Sequence, residues 1–268
     1  MHLITPQQPH PLFNTAATRR LEQQAAATLP PHTLMQRAGL AVARLAQALA
    51  PHARTVWIAC GPGNNGGDGL EAAMHLQRDG WRVVVTWLGT PEHAPADARQ
   101  SWQRALDAGL TWADEAPPGM TAADLCIDAV LGIGIASTAP ARAPDRRLLA
   151  VLAALQHSPA PVLAVDLPSG LDADTGQFAA GFALPTGPIS RQHPKSRHTL
   201  SLLTLKPGLF TAAGRDGAGN VWLDDLGVCP EPESPSAWLV GPALPAQRSH
   251  ASHKGSYGDV AIVGGEGL

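Results

Sequence analysis

The chain has 268 residues, of which 44% are apolar, and its formal net charge is −3. This length suits one large domain and part of another, and the apolar fraction can build a sizeable core, which excludes a largely disordered chain. The small net charge gives no overall field that would gather nucleic acid or an anionic membrane surface. We therefore expect a small-molecule partner, with no nucleic acid and no membrane.

The three cysteines, Cys60, Cys126 and Cys229, are far apart in the sequence and form no C-x-x-C pair. They indicate free thiols in a reducing compartment. The first residues have no basic segment followed by an apolar stretch, and no apolar run reaches the length of a membrane span. The sequence thus predicts a cytoplasmic protein.

Hydrophobic periodicity predicts two N-terminal helices, over 15–28 and 33–50, and then an alternation of short apolar runs with helix-like segments. The predicted strands are 55–60, 81–88, 124–131, 161–167 and 199–205. The predicted helices between the first four strands are 68–79, 95–108 and 145–157. This alternation indicates an α/β fold, a three-layer α/β/α, Rossmann-like sandwich with a mostly parallel central sheet.

Two features are predicted near the carboxyl end of the sheet region. The segments 199–205 and 219–223 are separated by the turn-rich residues 214–217, so we expect them to form an antiparallel edge of the sheet. Further on, the Pro-rich residues that begin at Cys229 predict a linker.

A glycine-rich segment, GPGNNGGDG at 61–69, joins the first predicted strand of the sheet to a helix. Glycines let the backbone approach a bound group closely, and the first turn of a helix offers unpaired N–H donors. Gly61, Gly63 and Gly66 satisfy G-x-G-x-x-G, so a dinucleotide-binding fingerprint is the first interpretation to consider.

Two observations weigh against a redox dinucleotide at this segment. Asp68 would put a carboxylate at the end of the helix where the pyrophosphate binds. The residues from Val83 to Thr90, at the end of the second predicted strand, lack the acidic residue that binds the ribose. The segment instead offers amide and carboxylate oxygens from Asn64, Asn65 and Asp68, which suit a cation or the hydroxyls and amides of a ligand.

Two more predicted strands end with oxygen-bearing side chains. Asp128 lies near the end of 124–131, and Asp166 and Ser169 follow the run that begins at Val162. In an open parallel sheet, ligands bind beyond the carboxyl ends of the strands, so these side chains are expected to meet Asp68 there. Each residue also has a purely structural interpretation, as a helix cap, a loop tether or a turn former.

Three segments in this order carry a resemblance: CGPGNNGGDG at 60–69, IDAVLGIG at 127–134 and VDLPSGLD at 165–172. Together they resemble the NAD(P)H-hydrate epimerase family, also called the YjeF N-terminal domain. LMQRAG at 34–39 and HTLSLLTLKPG at 198–208 are similar to further segments of that family, so the resemblance covers nearly the whole chain.

The resemblance implies an isomerase of nicotinamide nucleotide repair, which interconverts the R and S epimers of NAD(P)HX, that is, NADH or NADPH hydrated at C6. It implies a K+ ion bound by Asn65, Asp128 and Ser169, and a homodimer. The implied substrate-binding residues are Asn64, Asn65, Gly66, Gly67, Asp68, Gly132, Ile133, Gly134, Ile135, Ala136, Ser137, Thr138 and Asp166.

Asp166 is the predicted catalytic residue, as a general acid and base whose pKa burial would raise. Where the family usually carries a basic residue after Gly134, this chain reads IASTAPAR at 135–142. Phosphate contacts in that loop are therefore expected from backbone N–H groups, from Ser137 and Thr138, or from Arg142.

The end of the chain carries a second resemblance. SHKGSYGDVAIVGG at 252–265 is similar to the start of the ADP-dependent NAD(P)H-hydrate dehydratase domain, which implies a bifunctional parent protein. The predicted organisation is thus an epimerase domain over 1–228, a linker over 229–251 and the start of a ribokinase-like dehydratase domain over 252–268. The alternative to catalysis is a YjeF domain that serves as a ligand-binding or scaffold protein.

Overall fold

The computed structural model describes residues 1–135, 145–182, 197–229 and 233–241. The helices are α1 (Thr15–Thr28), α2 (Thr33–Leu49), α3 (Asn64–Arg78), α4 (Ala96–Asp107), α5 (Arg146–His157) and α6 (Gly214–Gly217), with a 3-10 helix at Pro207–Leu209. The strands are β1 (His2–Leu3), β2 (His10–Leu12), β3 (Val56–Cys60), β4 (Val83–Trp87), β5 (Thr111–Trp112), β6 (Leu125–Ala129), β7 (Val162–Val165), β8 (Arg197–Leu202), β9 (Asn220–Asp224) and β10 (Ala237–Leu239).

The central sheet is mostly parallel, as the alternation of elements predicted. Its strands in the described residues follow the order β1-β9-β8-β7-β6-β3-β4-β5. Every neighbouring pair from β9 to β5 is parallel, and β1 alone runs antiparallel, beside β9. The predicted α/β fold is therefore confirmed.

Both faces of the sheet are covered, which explains why the strands read as continuous apolar runs. Along β3, alternate side chains point to opposite faces. Val56, Ile58 and Cys60 belong to a core cluster that includes residues of α1, α2 and α3, whereas Trp57 and Ala59 pack in a second cluster with α5. The sheet is thus the middle of three layers, and its strand ends are left free to form a site.

The predicted antiparallel edge formed by 199–205 and 219–223 is wrong. β8 and β9 are parallel neighbours, with Leu200 opposite Trp222. The connection over 203–219 contains the 3-10 helix and α6, and it carries the chain back to the opposite end of the sheet before β9 begins. A parallel pair needs such a crossover, whereas a tight turn would have given an antiparallel one.

Helix α3 begins at Asn64, four residues earlier than the predicted 68–79. Gly63 is its N-cap residue, with φ −97° and ψ −169°, so Asn64, Asn65, Gly66 and Gly67 form the first turn and not a loop. Asp68 consequently lies one turn into the helix. The repulsion expected between Asp68 and an anion at the helix end is weaker than the sequence suggested, because the carboxylate is displaced along the axis.

Part of the segment predicted as a linker has a defined place. β10 pairs antiparallel with β2, with Trp238 opposite Pro11. Glu233, just before it, forms an ion pair with Arg20 of α1. The predicted segment 252–268 lies outside the described residues, so the two predicted domain boundaries, after 228 and after 251, stay predictions.

Within the described ranges, none of the helices combines the length and the apolar character that a membrane crossing requires.

Candidate active site

A cavity of about 700 Å³ lies beyond the carboxyl ends of β3, β6, β7 and β8. Helix α1, the connection over 29–32 and the start of α2 form its opposite wall. This is the end of a parallel sheet at which ligands bind, and the volume falls within the range of small-molecule and cofactor sites.

Most of the predicted substrate-binding residues line this cavity. Those in its lining are Asn64, Asn65, Asp68, Gly132, Ile133, Gly134, Ile135 and Asp166. Gly66 and Gly67 are buried in the packing behind it, since a Cβ on Gly66 would lie 1.9 Å from the Gly61 carbonyl oxygen and one on Gly67 would lie 2.8 Å from the Met35 side chain. Ala136, Ser137, Thr138 and Arg142 lie outside the described residues.

Beneath the cavity, Asp128 and Ser169 tie the ends of β6 and β7 together. Ser169 donates from Oγ to Asp128 Oδ1 at 2.5 Å and from its backbone N–H to Asp128 Oδ2 at 3.0 Å. Ser169 Oγ also accepts a hydrogen bond from the Leu131 N–H at 2.9 Å. Burial raises the pKa of Asp128, while the hydrogen bonds from Ser169 and from the Val130 N–H oppose that rise.

Asn65 lies on the first turn of α3, against the loop after β6 that is bonded to Ser169 through the Leu131 N–H. A Cβ on Gly132 would lie 3.3 Å from Asn65 Oδ1, which places the amide against the loop that follows β6. The buried Nδ2 atom of Asn65 has no hydrogen-bond partner among the described residues. The nitrogen and the oxygen of an amide have nearly the same shape, so a turn of the Asn65 amide can place the oxygen where Nδ2 now lies.

No cluster of three or more His, Cys, Asp or Glu side chains suited to a metal ion occurs among the described residues. A site for a transition metal of that kind is therefore not seen in this part of the chain. The three predicted K+ ligands instead contribute an amide, a carboxylate and a hydroxyl, a set with a single formal charge.

Asp166 has a left-handed backbone in the cavity wall. Its φ is +67°, a conformation that Asp adopts more readily than most residues with a side chain. Its Oδ1 accepts hydrogen bonds from Lys206 Nζ and from the Leu202 N–H, the latter at 3.1 Å. Lys206 is 1% exposed and also donates to the Leu202 carbonyl oxygen at 2.7 Å. The ion pair thus joins the end of β7 to the residues after β8.

Three further carboxyl groups line the same cavity, Asp68 from α3, Glu22 from α1 and Asp97 from α4. Burial, followed by the negative charges of Asp166, Glu22 and Glu71, raises the pKa of Asp68 well above its usual range. Burial and then Asp166 likewise raise the pKa of Glu22. The cavity therefore concentrates negative charge around one buried ammonium group.

A buried network supports the wall of the cavity formed by α3 and α4. His32 lines the cavity, has φ +67°, and lies 2.9 Å from Glu71 Oε1 through Nε2. Ser101 donates to the same oxygen at 3.0 Å, and Arg104 lies 3.2 Å from Glu71 Oε2. These bonds fix the connection between α1 and α2 against the two helices, so the wall has a defined shape.

Sequence reasoning missed Glu22, Lys206 and the wall formed by α1. Glu22 lies within an Ala- and Gln-rich helix, and nothing in its neighbours distinguishes it from a solvated residue. Lys206 lies within 198–208, a segment that is similar to the family, but that similarity did not identify the lysine as a site residue. The available signal was its rarity, since the sequence contains only Lys195, Lys206 and Lys254.

Comparison with known proteins gives matches over most of the chain. The family described as YjeF-related protein N-terminus matches residues 31–208. The bifunctional NAD(P)H-hydrate repair enzyme Nnr of Escherichia coli (strain K12) is 31% identical over 280 residues, which cover 96% of this chain and 48% of that protein. This chain thus spans about half the length of the bifunctional relatives it matches.

Two shorter relatives are covered more fully. The NAD(P)H-hydrate epimerase of Rhodobacter capsulatus is 41% identical over 164 residues, which cover 59% of this chain and 74% of that protein. The NAD(P)H-hydrate epimerase of Bordetella pertussis (strain CS) is 35% identical over 222 residues, which cover 83% of this chain and 90% of that protein.

A solved structure shares the fold. The crystal structure of yeast ynu0, YNL200c, matches with a TM-score of 0.57 and 21% sequence identity, covering 77% of this chain and 86% of that chain. Residues 31–208, which match the family, contain all three motif segments that meet at the cavity. The chain belongs to the family described as YjeF-related protein N-terminus.

Proposed function

We propose that the chain is an NAD(P)H-hydrate epimerase, which interconverts the R and S epimers of NADHX and NADPHX. The observation that carries the proposal is that three motif segments, 61–69, 127–134 and 165–172, all contribute to the lining of one cavity of small-molecule size. Relatives from Rhodobacter capsulatus and Bordetella pertussis that align over most of their own length carry this name.

The reaction needs a proton-transfer group beside the C6 hydroxyl of the substrate. C6 is bonded to N1 and to the hydroxyl oxygen, so the N1 lone pair can expel a protonated hydroxyl as water and leave a planar iminium. Water that adds to the opposite face gives the other epimer. The carboxyl groups of Glu22, Asp68 and Asp166 give the cavity the acid and base groups that this chemistry uses.

The ends of the cavity differ in a way that suits a nucleotide. The first turn of α3, which begins at Asn64, offers backbone N–H groups to an anion such as the substrate pyrophosphate. The opposite wall carries Leu29, Pro30, Pro31 and Leu34, which give an apolar surface for a ring. We therefore place the phosphates at the start of α3. The hydrated nicotinamide is placed near Asp68 and Asp166, because its C6 hydroxyl needs acid and base groups.

We also propose that Asn65, Asp128 and Ser169 hold a K+ ion. The buried amide of Asn65, which has no partner among the described residues and lies against the loop bonded to Ser169, supports this, because a cation would satisfy the amide oxygen if the amide were turned over. One carboxylate with neutral oxygens suits a monovalent ion that is weakly hydrated. When bound, the ion would supply positive charge that holds the three loops together.

Three further properties are proposals that follow from the family. We propose a homodimer, a cytoplasmic location, and a longer parent protein that joins this epimerase to an ADP-dependent dehydratase. The match to the Escherichia coli bifunctional enzyme over 96% of this chain supports the last of these.

The proposal is tested by incubating the protein with one purified epimer of NADHX and following the other by chromatography. We expect equilibration faster than the spontaneous reaction, and faster in K+ than in an equal concentration of Na+. An unchanged spontaneous rate in K+ would contradict the enzyme assignment and favour the ligand-binding alternative. Calorimetric titration with NADHX would then measure binding without turnover.

A further inference from the structure

The carboxyl groups of the cavity are not equivalent, and the difference begins with Asp166. Lys206 Nζ and the Leu202 N–H both donate to its Oδ1. Lys206 is buried and makes its other contacts to uncharged oxygens, of Ser201 and Leu202. The Oδ1 atom of Asp166 is therefore committed to two donors in a buried ion pair, which leaves it poorly placed to give a proton to a ligand.

Asp68 is in the opposite situation. No hydrogen bond to its carboxyl group is made by the described residues, and the group faces the cavity from the second turn of α3. The charged groups around it are Asp166 after β7, Glu22 on α1, Glu71 on its own helix, and Lys206 after β8. Three of these are acidic, and the one cation is already paired with Asp166.

The other charged groups near Asp68 leave its carboxyl as the group that can exchange a proton with a ligand. Glu71 is tied to His32, Ser101 and Arg104 and does not line the cavity. Arg19 lines the cavity and lowers the pKa of Glu22, against the larger effect of burial. Negative charge around Asp68 favours its neutral, protonated form, while its open side leaves the proton within reach of a ligand.

We propose that Asp68 is the proton donor and acceptor of this site, and that Asp166, held by Lys206, is a positioning residue that keeps Asp68 protonated. This inference rests on the proposed epimerase function. The neutral Asp68 carboxyl gives its proton to the C6 hydroxyl, the C6–O bond breaks as the N1 lone pair forms the N1=C6 bond, and water leaves. Water then adds to the other face of C6, the π electrons return to N1, and the released proton returns to Asp68.

The carboxylate of Asp166 has a second consequence for this step. The intermediate is a cation, and the negative charge of the Asp166–Lys206 pair's carboxylate at the edge of the cavity stabilises it. Asp68 also becomes negative when it has given up its proton, so the two groups act at different moments. One group holds charge and the other exchanges a proton.

The experiment compares Asp68→Asn and Asp166→Asn with the wild-type chain in the NADHX assay. Asp68→Asn is expected to lower kcat by about 10²- to 10⁴-fold, or to the spontaneous rate, with KM changed less than about threefold. Asp79→Asn, at the other end of α3 where Asp79 accepts a hydrogen bond from Gln47, is the matched control and is expected to keep the wild-type rate. If the wild-type chain shows no epimerisation, the proposed function fails, whereas wild-type turnover that survives in Asp68→Asn defeats the inference alone.

The pH profile separates the roles of the two aspartates. In the wild type, kcat/KM is expected to fall at alkaline pH as Asp68 loses its proton. Asp166→Asn removes a negative charge, so that fall is expected at a lower pH, together with a loss of rate. Loss of activity in Asp166→Asn with full activity in Asp68→Asn would instead restore Asp166 as the general acid and base.

Thermal unfolding gives a readout that does not depend on turnover. The pKa of Asp68 is raised in the folded chain, so the folded state binds this proton more tightly, and stability falls as pH rises from the unfolded pKa toward the folded one. Asp68→Asn is therefore expected to have a higher Tm than the wild type at pH 8, and the difference is expected to shrink toward pH 4. A Tm at pH 8 equal to or below that of the wild type would overturn the proposal.

Discussion

At the scale of single residues, the backbone of Asp166 is the most informative feature. A left-handed φ at the last position before a Leu-Pro step is a strained conformation, and it persists because the surrounding hydrogen bonds hold it. It turns the carboxylate toward Lys206 and the cavity. Residues of this kind cluster at functional sites, and here the strain serves to place a fixed negative charge.

Arg19, on the wall opposite α3, is the residue that we expect to bind the 2′-phosphate that distinguishes NADPHX from NADHX. It is exposed at the mouth of the cavity, and no ion pair to it is seen in the described residues. Lys206, the other cation of the lining, is committed to Asp166. Arg19→Ala is expected to raise KM for NADPHX about five- to tenfold with little change in kcat, because an exposed charge contributes about 1 kcal/mol to such a contact.

The neighbouring Arg20 provides the control for this prediction. It points away from the cavity and forms an ion pair with Glu233, with N–O distances of 2.6 and 2.8 Å. Arg20→Ala is expected to leave both kinetic constants unchanged and to cost less than about 1 kcal/mol of stability. Equal effects of the two substitutions on KM would show that Arg19 acts only through the general charge of α1.

Residue patterns predicted the part of the site at the strand ends, but not the part contributed by α1 and by the residues after β8. Asn64, Asn65 and Asp68 stand next to glycines after a predicted strand, Asp166 stands at the end of another strand, and all four line the cavity. Glu22 and Lys206 reach the cavity only because α1 folds over the sheet and the residues after β8 turn back. No local pattern encodes that approach.

At the scale of elements, the start of α3 depends on a close contact between its first turn and the strand end. A Cβ on Gly66 would lie 1.9 Å from the Gly61 carbonyl oxygen, a backbone atom that cannot move aside. The same oxygen accepts a hydrogen bond from the Trp87 indole at 3.0 Å. Gly66→Ala is therefore expected to destabilise the fold by about 3 kcal/mol or more, which lowers Tm by about 6–12 °C.

Gly63 is the matched comparison within the same motif. No atom lies within 4 Å of a Cβ placed there, and its φ of −97° is open to any residue. Gly63→Ala is expected to cost about 1 kcal/mol or less, through the poorer N-cap. Differential scanning calorimetry of both variants measures the contrast. Similar Tm values for the two would mean that the segment relaxes freely and that the close contact is unimportant.

The elements that were predicted correctly share strong local signals, and the one that was wrong lacked them. α1 begins and ends as predicted, because Asn14 caps it and its apolar spacing is helical. The direction of β9 relative to β8 was not readable, since a buried strand has the same apolar pattern in either direction. The short helical turns between them resembled an ordinary loop.

At the scale of the whole molecule, the site exists because parallel strands end together. β3, β6 and β7 bring Asn65, Asp128 and Ser169 to one edge, although these residues are distant in the sequence. The helices on the two faces then leave one opening, which α1 partly closes. The general position of the site therefore followed from the predicted sheet, whereas its closing wall required the packing of α1.

The folded domain includes residues beyond its predicted end, and truncation can test where it stops. The predicted domain ends at 228, yet β10 pairs with β2, and the Ser236 N–H donates to the Leu12 carbonyl oxygen at 2.8 Å. A chain ending at 228 would leave β2 unpaired on that side and would remove the Arg20–Glu233 ion pair. We expect a chain of 1–241 to unfold about 4–8 °C above a chain of 1–228, since the lost contacts amount to about 2 kcal/mol. Matching Tm values in scanning calorimetry would place the boundary at 228 and make β10 an accessory strand, while a higher Tm for 1–241 would extend the domain through β10.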